Sequence, residues 1–435
     1  MARYRCSRTG IGGGPVSRAV ASWPERIGHC GGPDQIGSRH RCAATGTGRH
    51  TFTCSSVVSA RTPTARVPDA ENIGNHRINS PNRARKGARS VTAVQITSVR
   101  SVGEVLAWSK SVVDPALRAA VEALPASVRH IAGYHLGWWD ERGARAGSGG
   151  GKAIRPTLVL LTAEAAGGAP EAAVPAAAAV ELVHNFSLLH DDVMDGDATR
   201  RGRPTVWAVF GTADAILTGD ALLALACDVL AASGHPAALD GVRALSAAVL
   251  NLVDGQHADV AFEARAQVEV AECVEMSEKK TGALLGCAAA LGATVAGAHR
   301  DRISHLRDFG ACLGMAFQHV DDLLGIWGDP AVTGKPAYAD LHRRKKSLPV
   351  VAALASGTAA GSELAALYHY ERSLATTERA HAADLIERAG GRAWSQAQTA
   401  DLLATALSHL DAAGPAARPG AELRALAELV THRDH

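Results

Sequence analysis

The chain is short of aromatic residues, which make up 4% of its 435 positions. Sandwiches and barrels of strands draw on aromatic and β-branched residues in alternating runs. Such runs are missing here, which argues against an all-β fold. Long apolar runs are missing too. The richest stretch, AILTGDALLALACDVLAA, is interrupted by Asp220 and Asp228, so no membrane span is expected. The arginines near the N terminus are not followed by an apolar core segment, so a secretory signal is not expected and the cytoplasm is the expected location. Cysteine is modest at eight residues, with no CxxC pair. The four in the first 54 positions are spaced 24, 12 and 12 apart, which matches no common zinc pattern. Reduced thiols are the expectation. Lysine is scarce as well, eight against 37 arginines.

What the chain does have is alanine and leucine, concentrated in its second half, and both are strong helix formers. From Val102 to about residue 412, apolar residues recur at three- and four-residue spacing, broken by short Gly/Pro/Asp turns. The pattern predicts an all-α fold, a single large helical bundle. PEAAVPAAAAVELVHNFSLLHDDVMD reads as one long helix. Residues 1–90 differ from this body. They carry 15 Lys and Arg against 4 Asp and Glu, leaving the remainder at −9 in a chain of net charge +2. Residues 1–95 show no apolar period and are rich in Gly, Ser, Thr, Arg and Pro. Such a segment cannot bury enough apolar area to offset its ordering entropy. The division expected is a disordered basic segment over 1–95 and a catalytic domain over 96–435. No aromatic residues interleave the basic ones as in a nucleic-acid tail, so no nucleic acid is expected as a partner.

Three constellations carry chemistry. In LLHDDVMDGDATRRGRPT, Asp191 and Asp195 are four apart and share a helix face. Asp192 flanks them, and Arg200 and Arg201 follow. Clustered carboxylates suit Mg²⁺, which takes one or two of them together with substrate phosphates. Adjacent arginines offer bidentate donors to a diphosphate. In FQHVDDLLGIWGDP, Asp321 and Asp322 lie within an apolar helix. Burying two unpaired charges there would be costly, and a metal shared with the first cluster removes that cost. The third constellation is the lysines. Six of the eight fall in GGGKAIRP, EKKTGALL and GKPAYADLHRRKKSLP, as if a compact ammonium were required at those points.

Together these segments resemble the trans-type polyprenyl synthetases, or isoprenyl diphosphate synthases, over about residues 100–412, and in particular actinobacterial short-chain, geranylgeranyl-type enzymes. The resemblance implies an isoprenoid-synthase bundle with its active site between two aspartate-rich helices. It implies Lys152 and Arg155 on the diphosphate of isopentenyl diphosphate, with His184 beside them. Asp191 and Asp195 would be direct magnesium ligands, with Asp192, Asp321 and Asp322 completing the metal carboxylates around three ions once diphosphate is bound. Arg200 would meet the allylic diphosphate and Arg201 the isopentenyl one. Lys280, Thr281, Lys335 and Lys345 would meet the allylic diphosphate, and Gln318 would lie near the developing cation. Phe186 and Ser187, five and four residues before Asp191, would set product length, with C20 expected and C15 next. One departure stands out: the second motif is usually DDxxD and here reads DDLLG, with Gly325 in the third aspartate's place.

The reaction implied is ionisation of an allylic diphosphate and capture of the cation by isopentenyl diphosphate. A terpene cyclase of the same fold and a non-catalytic or regulatory synthase subunit are the alternatives. GKAIRP and the Arg200–Arg201 pair argue against the first, and only Gly325 favours the second. The family implies a homodimer. The wording GIWGDP and RKKSLPVV further resembles actinobacterial cargo enzymes of shell-forming nanocompartments (encapsulins), which implies a targeting role for the N-terminal segment.

Overall fold

A computed structural model describes residues 98–146, 151–330, 337–369 and 372–432. The expected basic segment, residues 1–95, lies outside them, and with it the four N-terminal cysteines and the shell-targeting expectation.

The described chain is helical, as the apolar period predicts. Helix α1 (Val102–Glu122) opens on a capping box: Ser101 Oγ accepts from Glu104 N, and Glu104 Oε2 accepts from Ser101 N at 2.7 Å. Then come α2 (Ala126–His135), α3 (Ile154–Ala165) and α4 (Val174–Met194). Helix α4 follows a 3₁₀ turn over Pro170–Ala173 and is the core of the bundle. Its run Ala176–Ala179 is fully buried. With only methyl groups there, α3, α6 (Thr212–Ala231) and α9 (Ala283–Val295) can all pack on it. By length and composition the stretch Pro170–Met194 could cross a membrane, but 72% of it is buried inside the fold. Counting uninterrupted apolar runs misses it, because Glu181, His184 and Asn185 are spaced along it.

After the short α5 (Val206–Phe210), α6 and α7 (Ala238–Ala264) pair on one side of the bundle. Helix α8 (Val270–Ser277) runs through a π-turn, Glu278–Gly282, into α9. Helix α10 (Arg300–Trp327) packs on α9 and on α15 (Gly391–Ala412). Between them α11 (Ala339–His342), α12 (Leu348–Leu354), α13 (Ala359–Tyr368) and α14 (Thr376–Arg388) build a smaller apolar cluster around Ile326, Leu341, Val350 and Ile386.

Two features were not legible in the sequence. The first is α16 (Ala417–Thr431), beyond the expected end of the pattern. It packs on α3 and carries Glu422, 1% exposed, which Arg100 and Arg418 pair at 2.7 and 3.1 Å. The second is a two-stranded hairpin, Thr199–Arg200 against Arg203–Pro204. Its turn residues, Arg201 and Gly202, both have positive φ, at 53° and 73°, the backbone a tight hairpin needs. The cysteines at 227, 273, 287 and 312 are free thiols, and burial pushes Cys287 up to about 12.

Candidate active site

Helices α4 and α10 bring the two aspartate motifs to the walls of one cavity of about 680 Å³. Asp191, Asp195, Lys280, Gln318 and Asp321 all line it. So do Lys152, Arg155, His184, Arg200, Arg201, Thr281 and Lys345. Residues far apart in the chain are thus gathered around one cavity. Lys335 lies outside the described residues.

Each aspartate pair splits. Adjacent helical residues point about 100° apart, so when one carboxylate faces the cavity its neighbour faces the fold. Asp192 is 2% exposed and accepts from Arg200 Nε at 2.7 Å. Asp322 is 3% exposed and accepts from Leu348 N at 2.9 Å, at the start of α12. Neither lines the cavity. The expectation that grouped them with the metal carboxylates meets a different placement: their charges are met by protein donors. Burial pushes Asp322 up to about 6, and it pushes Asp191 up to about 6 as well, with Asp195 adding to the rise.

Two groups of cations emerge, each around a carboxylate that the motifs did not reveal. The first surrounds Glu181 on α4. Burial raises its pKa, against the pull of Arg155 and Arg201. Arg155 Nη1 donates to His184 Nε2 at 3.2 Å. Burial, and then Arg155 itself, holds His184 well below its ordinary value, so it is a neutral acceptor. The hairpin delivers Arg201 to this group. Arg203 anchors it by donating to the carbonyls of Tyr134 and Trp139 at 3.2 and 3.0 Å, and Tyr134 donates to Pro204 O at 2.8 Å.

The second group surrounds Asp259 on α7. Lys280 pairs with it at 2.6 Å. Burial would raise Asp259, but Lys280 and Lys345 hold it below its ordinary value. Burial opposes the charge on Lys345, yet Asp340, Asp322, Asp259 and Asp321 together keep it well above normal. Lys280 and Thr281 reach the cavity through the π-turn, a feature that often marks functional positions. Gly255 makes room for it: a Cβ there would lie 2.9 Å from Lys280 Cα. Thr281 Oγ1 donates to Gln318 Oε1 at 2.6 Å, and Gln318 Nε2 donates to Asp322 Oδ1 at 2.8 Å. The buried Asp322 therefore fixes the amide of Gln318.

Four non-glycine residues among those described adopt positive φ: Ala153, Arg201, Tyr338 and Arg344. Ala153 and Arg201 line the cavity, Arg344 adjoins lining residues and Tyr338 is two residues from Asp340, in the kind of region where backbone strain tends to collect. Asp340 and Arg343, also missed in the sequence, line the cavity on the α11 side, and Arg343 pairs with Asp197. Below the charged region the wall turns apolar, with Leu188, Leu252, Leu284 and Phe317 beside Ser187. Phe186, expected to narrow this pocket, is not in the lining. It is buried, with its ring edge-on to His190 at 4.8 Å.

Comparison with known proteins identifies the family. The polyprenyl synthetase family model matches residues 140–386. The chain is 47% identical to (2E,6E)-farnesyl diphosphate synthase of Mycobacterium tuberculosis over 332 residues, 76% of this chain and 92% of that one. It is also 47% identical to geranylgeranyl diphosphate synthase of the same organism, over 74% of this chain and 91% of that one. Among solved structures, polyprenyl synthetase from Streptomyces coelicolor A3(2) superposes with a TM-score of 0.73 at 49% identity, covering 76% of this chain and 99% of that one. The chain is a prenyltransferase and belongs to the polyprenyl synthetase family.

Proposed function

We propose that the chain condenses an allylic diphosphate with isopentenyl diphosphate, using magnesium, to give a short-chain prenyl diphosphate of C15–C20. The observation that carries this reading is the pair of cation groups in one cavity, around Glu181 and around Asp259. Two separate cationic poles suit two diphosphates. A cyclase, which takes one, has no use for the second.

Among the described residues, no three His, Cys, Asp or Glu side chains converge closely enough to hold an ion alone. The carboxylates of Asp191, Asp195 and Asp321 instead stand around open space beside Lys280 and Arg200. That donor set fits magnesium, which keeps waters and completes its shell with phosphate oxygens. These three aspartates would hold it. When bound, magnesium neutralises charge on the departing diphosphate.

The protein's own residues do the rest. Lys280, Lys345 and Arg200 hold the allylic diphosphate and stabilise it as negative charge grows on it. Lys152, Arg155 and Arg201 hold isopentenyl diphosphate, with neutral His184 fixing Arg155. The amide oxygen of Gln318 and the hydroxyl of Thr281 present negative dipoles toward the allylic carbons. The apolar wall excludes water that would otherwise capture the cation. The proton lost after carbon–carbon bond formation goes to the released diphosphate.

The chain grows down α4 from Asp191 past Ser187, one turn below. Ser187 is small and lines the cavity, which favours C20 over C15. Replacing it with phenylalanine tests this: Ser187→Phe shifts products shorter, while an unchanged product distribution overturns the length assignment. Phe186→Ala lengthens products only through repacking behind the wall. We also propose a homodimer, formed through the exposed apolar stripe of α7 (Leu250, Val253, Val260) and Leu217 of α6, 60% exposed. Sedimentation of Leu250→Glu should show monomer.

A further inference from the structure

Gly325 is four residues after Asp321 on α10, so it shares the face that Asp321 turns to the cavity. The space a side chain at 325 would fill is taken. A Cβ built there lies 2.5 Å from Asp340 Cγ and 2.8 Å from its Oδ1. Asp340 lines the same cavity as Asp321. It comes from α11, after a segment outside the described residues, and is held by local geometry. Tyr338 before it and Arg344 after it both adopt positive φ, at 58° and 54°. Lys345 N donates to Asp340 O at 3.0 Å. The smaller apolar cluster fixes this loop against α10 through Leu341 and Ile326.

From this geometry we infer that Asp340 supplies the second aspartate motif with the carboxylate that position 325 lacks. Gly325 is then no lesion but the vacancy that admits a carboxylate from another element. Asp340 is a positioning residue. It faces Lys345 together with Asp322, Asp259 and Asp321, and so sets the ammonium and the outer shell of the metal–diphosphate region. The inference rests on the magnesium-dependent reading above. It also removes the one sequence feature that favoured a non-catalytic subunit. An aspartate added at 325 would not strengthen the site, because it would collide with the one already there.

The test is an exchange of positions in the full chain. Wild type, Asp340→Asn, Gly325→Asp and the double variant Gly325→Asp/Asp340→Gly are titrated calorimetrically with Mg²⁺ in the presence of inorganic diphosphate. Turnover is followed in parallel against magnesium concentration. Asp340→Asn should weaken magnesium binding by roughly tenfold or more, as loss of an outer-shell partner does. Gly325→Asp alone should weaken it too. The double variant should recover to within about threefold of wild type, an exchange that a merely structural Asp340 would not permit. Asp340→Asn that binds like wild type, or a double variant no better than Gly325→Asp, overturns the inference. Wild type that binds no magnesium with diphosphate overturns the magnesium reading itself, and this inference with it.

Discussion

At the scale of the residue, the site separates carboxylates by what meets their charge. Asp192 and Asp322 are buried and answered by Arg200 and by Leu348 N. Asp191, Asp195 and Asp321 face the cavity. Replacing any of these three with alanine should lower turnover by more than tenfold while leaving the melting temperature unchanged or raised. Steady-state rates and a thermal melt check both halves. Activity above a tenth of wild type would remove that residue from the metal set. Glu181 makes a sharper prediction. It is the carboxylate that Arg155 and Arg201 share. Glu181→Gln should raise the KM for isopentenyl diphosphate about tenfold, near 1.4 kcal/mol, with a smaller effect on the KM for the allylic partner. Equal effects on both would mean that the two cation groups are not separate.

At the scale of the element, close approaches and buried polar contacts hold the site helices. The π-turn carrying Lys280 rests on Gly255 of α7. Gly255→Ala should cost about 1–3 kcal/mol of stability by overpacking, and it should reduce turnover by displacing Lys280. Denaturant unfolding and kinetics would test the two effects together. Helices α10 and α15 meet through His319, 1% exposed, whose Nδ1 lies 3.1 Å from Ser395 Oγ. Burial holds His319 down to about 4. A depressed histidine costs nothing above the unfolded value of 6.5. Below it, the unfolded chain takes up a proton that the folded one refuses. Stability should therefore fall as pH drops from 6.5 towards 4, by about 2–3 kcal/mol from this group. The pH slope of unfolding in His319→Gln should be flatter by that amount, and an identical slope would rule the group out.

The same scale explains what the sequence could reveal. Helices such as α4 and α10 were legible because burial repeats every 3.6 residues over many turns. The aspartate motifs were legible because paired charges interrupt that repeat. The hairpin that aims Arg200 and Arg201 was not, since two-residue strands have no period. Asp259 and Glu263 belong to no motif along the chain, and only the fold brings them to the cavity, where Asp259 meets Lys280. Asp340 was hidden for another reason. Its relation to Gly325 joins two elements, and no spacing along the chain encodes it. Which aspartate of the second pair faces inward was likewise invisible, because its neighbours, Val320 and Leu323, are both apolar.

At the scale of the molecule, the chain is an alanine-packed bundle with charge at one end of a cavity and apolar wall at the other. The identity is 47% to both a farnesyl and a geranylgeranyl diphosphate synthase, so the likeness does not choose between their products. The basic first 90 residues have no apolar period and oppose the charge of the rest. Their deletion should leave kcat and KM within about twofold, well under 1 kcal/mol, and a folded but inactive truncation would show that they complete the site. The most direct test of the whole account is product formation by the full chain. It is incubated with magnesium, labelled isopentenyl diphosphate and an allylic diphosphate, and the products are separated by length. The account predicts label in a prenyl diphosphate, chiefly C20, that vanishes on chelation of magnesium. Diphosphate release without isopentenyl diphosphate, or no incorporation of label at all, would contradict it.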